Sequence, residues 1–245
     1  MSVVFVHGVP ETAALWDGVR NRIDRESVAV TMPGFGTPRP EGFGATKDDY
    51  AAWLVAELEG IGGPIDLVGH DWGALLAARV ATTRGELLHS WLVDVANVFH
   101  PDYVWHDVAQ VWQTPDQGEE FMDSQLGIAD DSRGDIFIGF GVPEAEARTL
   151  GRALDRTMSR CILDLYRSAV PNTAKDWGDS LAPTTAPGML LVPTDDPFCD
   201  EKLSREVAGQ VGARVELLEG LGHWWMLQDP DRAAAALVEF WNSVG

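Results

Sequence analysis

Residues 65–75, Ile-Asp-Leu-Val-Gly-His-Asp-Trp-Gly-Ala-Leu, constrain this chain more than any other stretch. The apolar run from Ile65 to Val68 predicts a buried strand, and Ala74 to Ala78 begins a run of good helix formers. Between them lies Gly69-His70-Asp71-Trp72-Gly73. A strand, a Gly-x-nucleophile-x-Gly turn and a helix together make a nucleophile elbow. The turn forces its central residue into an exposed, strained conformation over the end of the sheet. That residue is Asp71. A surface Asp in a Gly-bounded turn is the plainer alternative, and the flanking strand and helix weigh against it.

The identity of the central residue has chemical content. A Ser that attacks a saturated carbon would make an ether, which water cannot readily cleave. An Asp makes an ester, which water can open at its carbonyl. With a reference pKa near ~3.9, Asp is also ionised at neutral pH without a helper base. Asp71 therefore points to displacement at an sp3 carbon that bears a leaving group, such as an epoxide oxygen or a halide.

The 245 residues suit one α/β domain with an inserted segment. A formal charge of −20 disfavours nucleic acid and anionic membrane surfaces as partners. Cys161 and Cys199 fit no zinc spacing and form no disulfide framework, so a cytoplasmic setting is expected. There is no secretory leader pattern, and no run is long enough to span a bilayer. No metal or other cofactor is called for by any motif.

Val3–Val6 is an apolar strand that runs into His7-Gly8-Val9-Pro10. A strand ending in His-Gly upstream of an elbow predicts an oxyanion loop, with the Val9 amide free to donate. Leu15, Trp16, Val19 and Ile23 fall at helical spacing. Val28–Val30 is a second strand, and Thr46 with Asp49 predicts a capping box. Trp91–Val95 is a further strand, with Asp94 inside it. Residues from about Asn97 to Thr185 carry helical patterns, many aromatics and no convincing strand. They are read as a helical cap (97–185) inserted between the two parts of the core (1–96 and 186–245), because a strand-to-strand crossover usually needs only one helix. The sheet resumes at Gly188–Val192, and Arg214–Leu218 is its last strand, running on through Glu219. Asp229 with Pro230 opens a final helix.

After an elbow of this kind the chain order is nucleophile, carboxylate, histidine. Asp71, Asp196 and His223 satisfy it. Asp196 lies just past a strand end and precedes Pro197, which biases it toward a turn; Asp195 and Asp94 are the rival acids. His223 ends a Gly-x-Gly-His turn after the last strand. His7 and His70 are expected to hold loops, and His89, His100 and His106 have no evident partner.

With these residues assembled, the whole sequence resembles the α/β-hydrolase superfamily. Gly69-His70-Asp71-Trp72-Gly73 and His7-Gly8-Val9-Pro10 are similar to its epoxide hydrolase and haloalkane dehalogenase branch. The resemblance implies an α/β-hydrolase fold with about six mostly parallel strands, flanking helices and a helical cap. It places the triad on Asp71, Asp196 and His223, and the oxyanion hole on the amides of Val9 and Trp72. The branch usually has extra strands before the His-Gly strand, so one sheet edge is expected to be exposed or covered by a partner, and a homodimer would fit that.

Tyr166, in Leu-Asp-Leu-Tyr-Arg, is similar to the cap tyrosine of epoxide hydrolases, which holds the ring oxygen. Opening an epoxide leaves an alkoxide that needs a proton donor. Such enzymes usually offer a second cap tyrosine, and only Tyr103 is available; Trp105, His106 and Trp112 are the other candidate donors. A dehalogenase would instead aim two donors at a halide, from Trp72 and one of Trp105, Trp112 or Trp177. Val9 stands where many dehalogenases carry Asn. The expectation is a cofactor-independent epoxide hydrolase for a small hydrophobic substrate, with a haloalkane dehalogenase or a non-catalytic ligand-binding relative as alternatives.

Overall fold

The computed structural model describes residues 2–178 and 181–245, so residues 179 and 180 of the predicted cap lie outside the described residues. Among the described residues the strands are β1 (Ser2–Val6), β2 (Ser27–Val30), β3 (Ile65–Gly69), β4 (Leu88–Val93), β5 (Gly188–Pro193) and β6 (Arg214–Leu218). They form one sheet in the order β2-β1-β3-β4-β5-β6, and every pairing is parallel. The α/β-hydrolase fold expected from the sequence is therefore present.

Around the sheet lie α1 (Asp17–Arg20), α2 (Lys47–Ile61), α3 (Trp72–Thr83), α9 (Glu201–Val211), α10 (Trp225–Gln228) and α11 (Pro230–Val244). Between β4 and β5 come α4 (Asp107–Gln113), α5 (Gln117–Gly127), α6 (Asp135–Gly139), α7 (Glu144–Ala153) and α8 (Arg156–Arg167), with no strand among the described residues.

The strands read as continuous apolar runs because helices cover both faces. β3 and β5 are buried at every position. Side chains alternate across the sheet with period two. Val4 and Val6 join a core with Leu54 of α2 and Leu76 of α3. Val3 and Phe5 join the opposite core with Trp16, Trp225 and Phe240. Phe5, Trp16 and Trp225 pack in series, the first pair tilted and the second edge-to-face, with ring centroids 4.9 and 5.8 Å apart.

Several boundaries differ from the sequence reading. Leu15, Trp16, Val19 and Ile23 are buried, but they lie on a 3-10 turn (Ala13–Trp16), on α1 and just beyond it, not on one helix. Gly18 and Asn21 lack the helix propensity to carry it further. β4 ends at Val93 because Val95 is left-handed (φ 37°), so Asp94 stands just past the strand, not inside it. β6 covers Arg214–Leu218 as expected, and the turn at Gly220 (φ 73°) follows it. Thr46 and Asp49 do form a reciprocal capping box, and Asp229 caps α11 with Pro230 at its start.

β2 is an edge strand of four residues, and Val28 is exposed. Arg20 occupies part of that edge, donating to the carbonyl of Ser27 at 3.0 Å and to its hydroxyl at 3.2 Å. A short strand with a charged neighbour is a poor template for further pairing. Cys161 and Cys199 are both free thiols.

Candidate active site

Strand order brings the loops that carry the candidate residues together. The chain leaves β1 toward β2 on one side and returns as β3 on the other, so the carboxyl ends of β1 and β3 are neighbours (Val6 opposite Gly69). In an open α/β sheet such a switch point is where ligands bind. The loop after β1 carries Val9, and the loop after β3 carries Asp71. Asp94, Asp196 and His223 follow the ends of β4, β5 and β6.

Asp71 sits at φ 50°, ψ −121°, a sparsely populated conformation for a residue with a Cβ. The two elbow glycines are needed because the backbones crowd there. A Cβ on Gly69 would strike the Gly73 carbonyl, and one on Gly73 would strike the Val6 carbonyl. The Val9 amide donates to Oδ1 of Asp71 at 2.8 Å. Burial pushes the Asp71 pKa up to about 6, against the pull of His223, His70 and the Trp72 amide. It is therefore mostly ionised at neutral pH.

His223 is buried, and its Nδ1 lies 2.9 Å from Oδ2 of Asp196. The Phe198 amide donates to the other Asp196 oxygen at 2.8 Å. Burial pulls the His223 pKa down, but the Asp196 charge and hydrogen bond leave it raised overall. Of the rival acids, Asp195 is exposed. Asp94 is turned elsewhere, accepting from the Asp71 amide at 2.9 Å, from Nδ1 of His70 at 2.6 Å and from the Trp225 indole at 2.7 Å.

Asp71 and His223 open onto one cavity. Its walls include Val9, Trp72, Tyr103, Trp105, His106, Trp112 and Tyr166, so the structure gathers nearly all the residues singled out from the sequence. Tyr166, on α8, is held edge-on by Trp72 and Trp112, with centroids 5.3 and 4.8 Å away. Burial, with the nearby Asp71 charge adding to it, raises the Tyr166 pKa well above that of a free phenol. Tyr103 is raised too, by burial first and then by Asp71 and Asp196. Both hydroxyls therefore stay protonated, and both residues line the cavity onto which Asp71 opens.

The other candidate donors separate. Trp105 spends its indole N–H on the Ala169 carbonyl (3.1 Å), and Trp177 donates to Asp48 (3.0 Å) on a wall remote from the cavity. Neither can serve a halide as the sequence reading allowed. His106 is bound through Nδ1, which accepts from the Ala109 amide, and burial lowers its pKa to about 4. The indole nitrogens of Trp72 and Trp112 are buried with no hydrogen-bond partner among the described residues.

The remaining histidines do have partners. His89 pairs with Asp66 at 2.8 Å, His100 with Glu206 at 2.9 Å, and His7 accepts from the Met32 amide at 3.1 Å. Glu11 is a buried residue that the sequence reading passed over. It accepts from the Gly8 amide (2.9 Å) and the Trp224 indole (2.6 Å) and meets Nε2 of His70 at 3.2 Å. The available signal was its place in His7-Gly8-Val9-Pro10-Glu11, inside the oxyanion loop. Glu11, His70 and His223 bring potential metal donors within 4.8 Å of one another, but Glu11 and His70 bond each other and His223 bonds Asp196.

Residues 3–236 match the model of the Alpha/beta hydrolase family. The chain belongs to that family. This α/β hydrolase is 22% identical over 244 residues to an (E)-2-((N-methylformamido)methylene)succinate hydrolase of Acinetobacter baylyi, covering 96% of this chain and 88% of that one. Its fold is similar to that of an epoxide hydrolase from Vigna radiata (17% identity, TM-score 0.78, covering 99% and 91% of the two chains). It is also similar to that of a haloalkane dehalogenase from Bradyrhizobium elkanii (20% identity, TM-score 0.73, 99% and 91%). At these identities the two structures speak for the fold alone.

Proposed function

We propose that this α/β hydrolase is a cofactor-independent epoxide hydrolase acting through a covalent Asp71 ester. The observation that carries this reading is the pair of phenols, Tyr103 and Tyr166, on the wall of the cavity that Asp71 faces. Asp71 attacks an epoxide carbon, the C–O bond breaks, and a phenol gives its proton to the departing alkoxide. His223, oriented by Asp196, then takes a proton from water. The hydroxide adds to the ester carbonyl, and the Val9 and Trp72 amides hold the resulting oxyanion. Collapse expels the diol oxygen, which takes the proton held by His223, and the proton that the added hydroxyl leaves on Asp71 returns to the tyrosinate, restoring Asp71 and the phenol.

In this reading residues 1–96 and 186–245 are the catalytic core, and residues 97–185 are a cap that shapes the substrate site. The substrate is small, uncharged and hydrophobic. The arginine on the cavity wall, Arg133, is committed to the carbonyls of Ile128 and Leu154 (3.1 and 2.6 Å) and to Asp130, so it does not answer a carboxylate such as those in the name of the Acinetobacter relative.

A second reading, haloalkane dehalogenase, is favoured by the unpartnered indole N–H groups of Trp72 and Trp112 on the same wall. It keeps the nucleophile and changes the leaving group. Incubating the purified protein with styrene oxide and with short bromoalkanes separates the two. Diol without bromide release supports the epoxide hydrolase, and bromide release without diol supports the dehalogenase. Neither product across a broad panel would overturn both.

A further inference from the structure

Beneath the candidate site lies a second cluster that the proposed chemistry does not use. His70 is fully buried between two fully buried carboxylates, with Nε2 on Glu11 and Nδ1 on Asp94. Each carboxylate also accepts two other N–H groups. Glu11 takes the Gly8 amide and the Trp224 indole, and Asp94 takes the Asp71 amide and the Trp225 indole. Both oxygens of each carboxylate therefore already hold an N–H donor apart from His70, which favours the ionised carboxylate, and two ionised carboxylates facing the two ring nitrogens are matched when both nitrogens donate. A neutral imidazole would offer one of these carboxylates a lone pair instead of a hydrogen, inside a low-dielectric interior where that mismatch is costly.

These partners span the site. Gly8 precedes Val9 in the loop after β1, Asp71 is the elbow, and Trp224 and Trp225 directly follow His223. We propose that Glu11, His70 and Asp94 form a charged brace whose imidazolium is permanent at neutral pH and which positions the Val9 loop, the elbow and the His223 loop relative to one another. The ionisable groups that face His70 are Glu11 and His7 from the loop after β1, Asp71 in its own turn, Asp94 after β4 and His223 after β6, whose ring centroid is 4.6 Å away. The acidic members outnumber the basic ones, and the two nearest acids lie on opposite edges of the His70 ring. The structural charge therefore stays on His70 while His223 remains free to gain and lose its own proton.

The kinetic consequence rests on the proposed two-step displacement. Attack by Asp71 makes little demand on the Val9 amide, whereas the oxyanion of ester hydrolysis depends on it. A slack brace therefore slows the second step more than the first. Small misplacements of reacting groups are enough for large rate losses.

Two measurements test the brace. The first uses the unmodified protein without substrate: 15N shifts of its histidine rings are followed by NMR from pH 6 to 9. One buried histidine must show two protonated nitrogens throughout, and it must vanish from the spectrum of His70→Gln; a single neutral tautomer at His70 would overturn the proposal. The second uses the isosteric Glu11→Gln variant with styrene oxide and intact-protein mass spectrometry after rapid quenching. We expect ester hydrolysis to slow roughly tenfold or more, so that alkylated protein accumulates, while alkylation stays within about threefold. Equal slowing of both steps, or no change in either, contradicts the brace. If Glu11→Gln does not fold, the ring measurement on the unmodified protein decides. If the unmodified protein forms no ester, the proposed function fails, and the ring measurement still tests the brace.

Discussion

The Val9 amide donates to Oδ1 of Asp71 at 2.8 Å, joining the loop after β1 to the elbow after β3. One oxygen of the carboxylate is thereby held in place, on the side where an oxyanion would form. Parallel pairing of β1 with β3 makes this contact, since it sets their carboxyl ends side by side.

The two phenols separate the leaving groups. Tyr166→Phe and Tyr103→Phe should each lower epoxide turnover by about 10²-fold, the usual scale for loss of a general acid. Displacement of bromide produces no alkoxide and should fall far less. Steady-state rates on styrene oxide and 1-bromobutane, measured side by side for each variant, check this.

Asp71 should impose an acid limb. Its pKa is raised to about 6 by burial, so below that pH it carries a proton and is no nucleophile. The single-turnover alkylation rate should fall tenfold per pH unit below about 6 and flatten above it. A limb near pH 4, where a solvated carboxylate titrates, would show that burial does not act on Asp71 as described.

The same shift has a stability consequence. A carboxyl whose folded pKa lies above its unfolded value binds more protons when native between pH 4 and 6, so stability is lost as pH rises through that window. Asp71→Asn, which cannot ionise, should therefore be more stable than the parent at pH 8, on the order of 3 kcal/mol. The gap should close toward pH 4. Urea unfolding at the two pH values reads it.

Away from the site, Thr46→Ala removes half of the reciprocal cap on α2. It should cost about 1 kcal/mol in urea unfolding and leave catalytic rates unchanged.

What the sequence showed depended on how local each signal was. The elbow was legible because strand, glycine pair and helix are contiguous, and Asp196 and His223 because each follows a strand end. Asp94 was misread because the left-handed Val95 that ends β4 has no distinctive residue type. Nothing local in the sequence shows that the indoles of Trp105 and Trp177 are engaged, because the Ala169 carbonyl and the Asp48 carboxylate that bind them are remote in sequence. Glu11 went unread for a similar reason, since its meaning lies in contacts with His70 and Trp224 that only the fold brings about.

Single-turnover hydrolysis of an epoxide in heavy-oxygen water tests the covalent ester most directly, because the carbonyl that water attacks belongs to the protein. With enzyme in excess over substrate, the label should appear in the peptide containing Asp71, and the first diol formed should carry ordinary oxygen. Label found in the diol, with none in that peptide, would contradict the account.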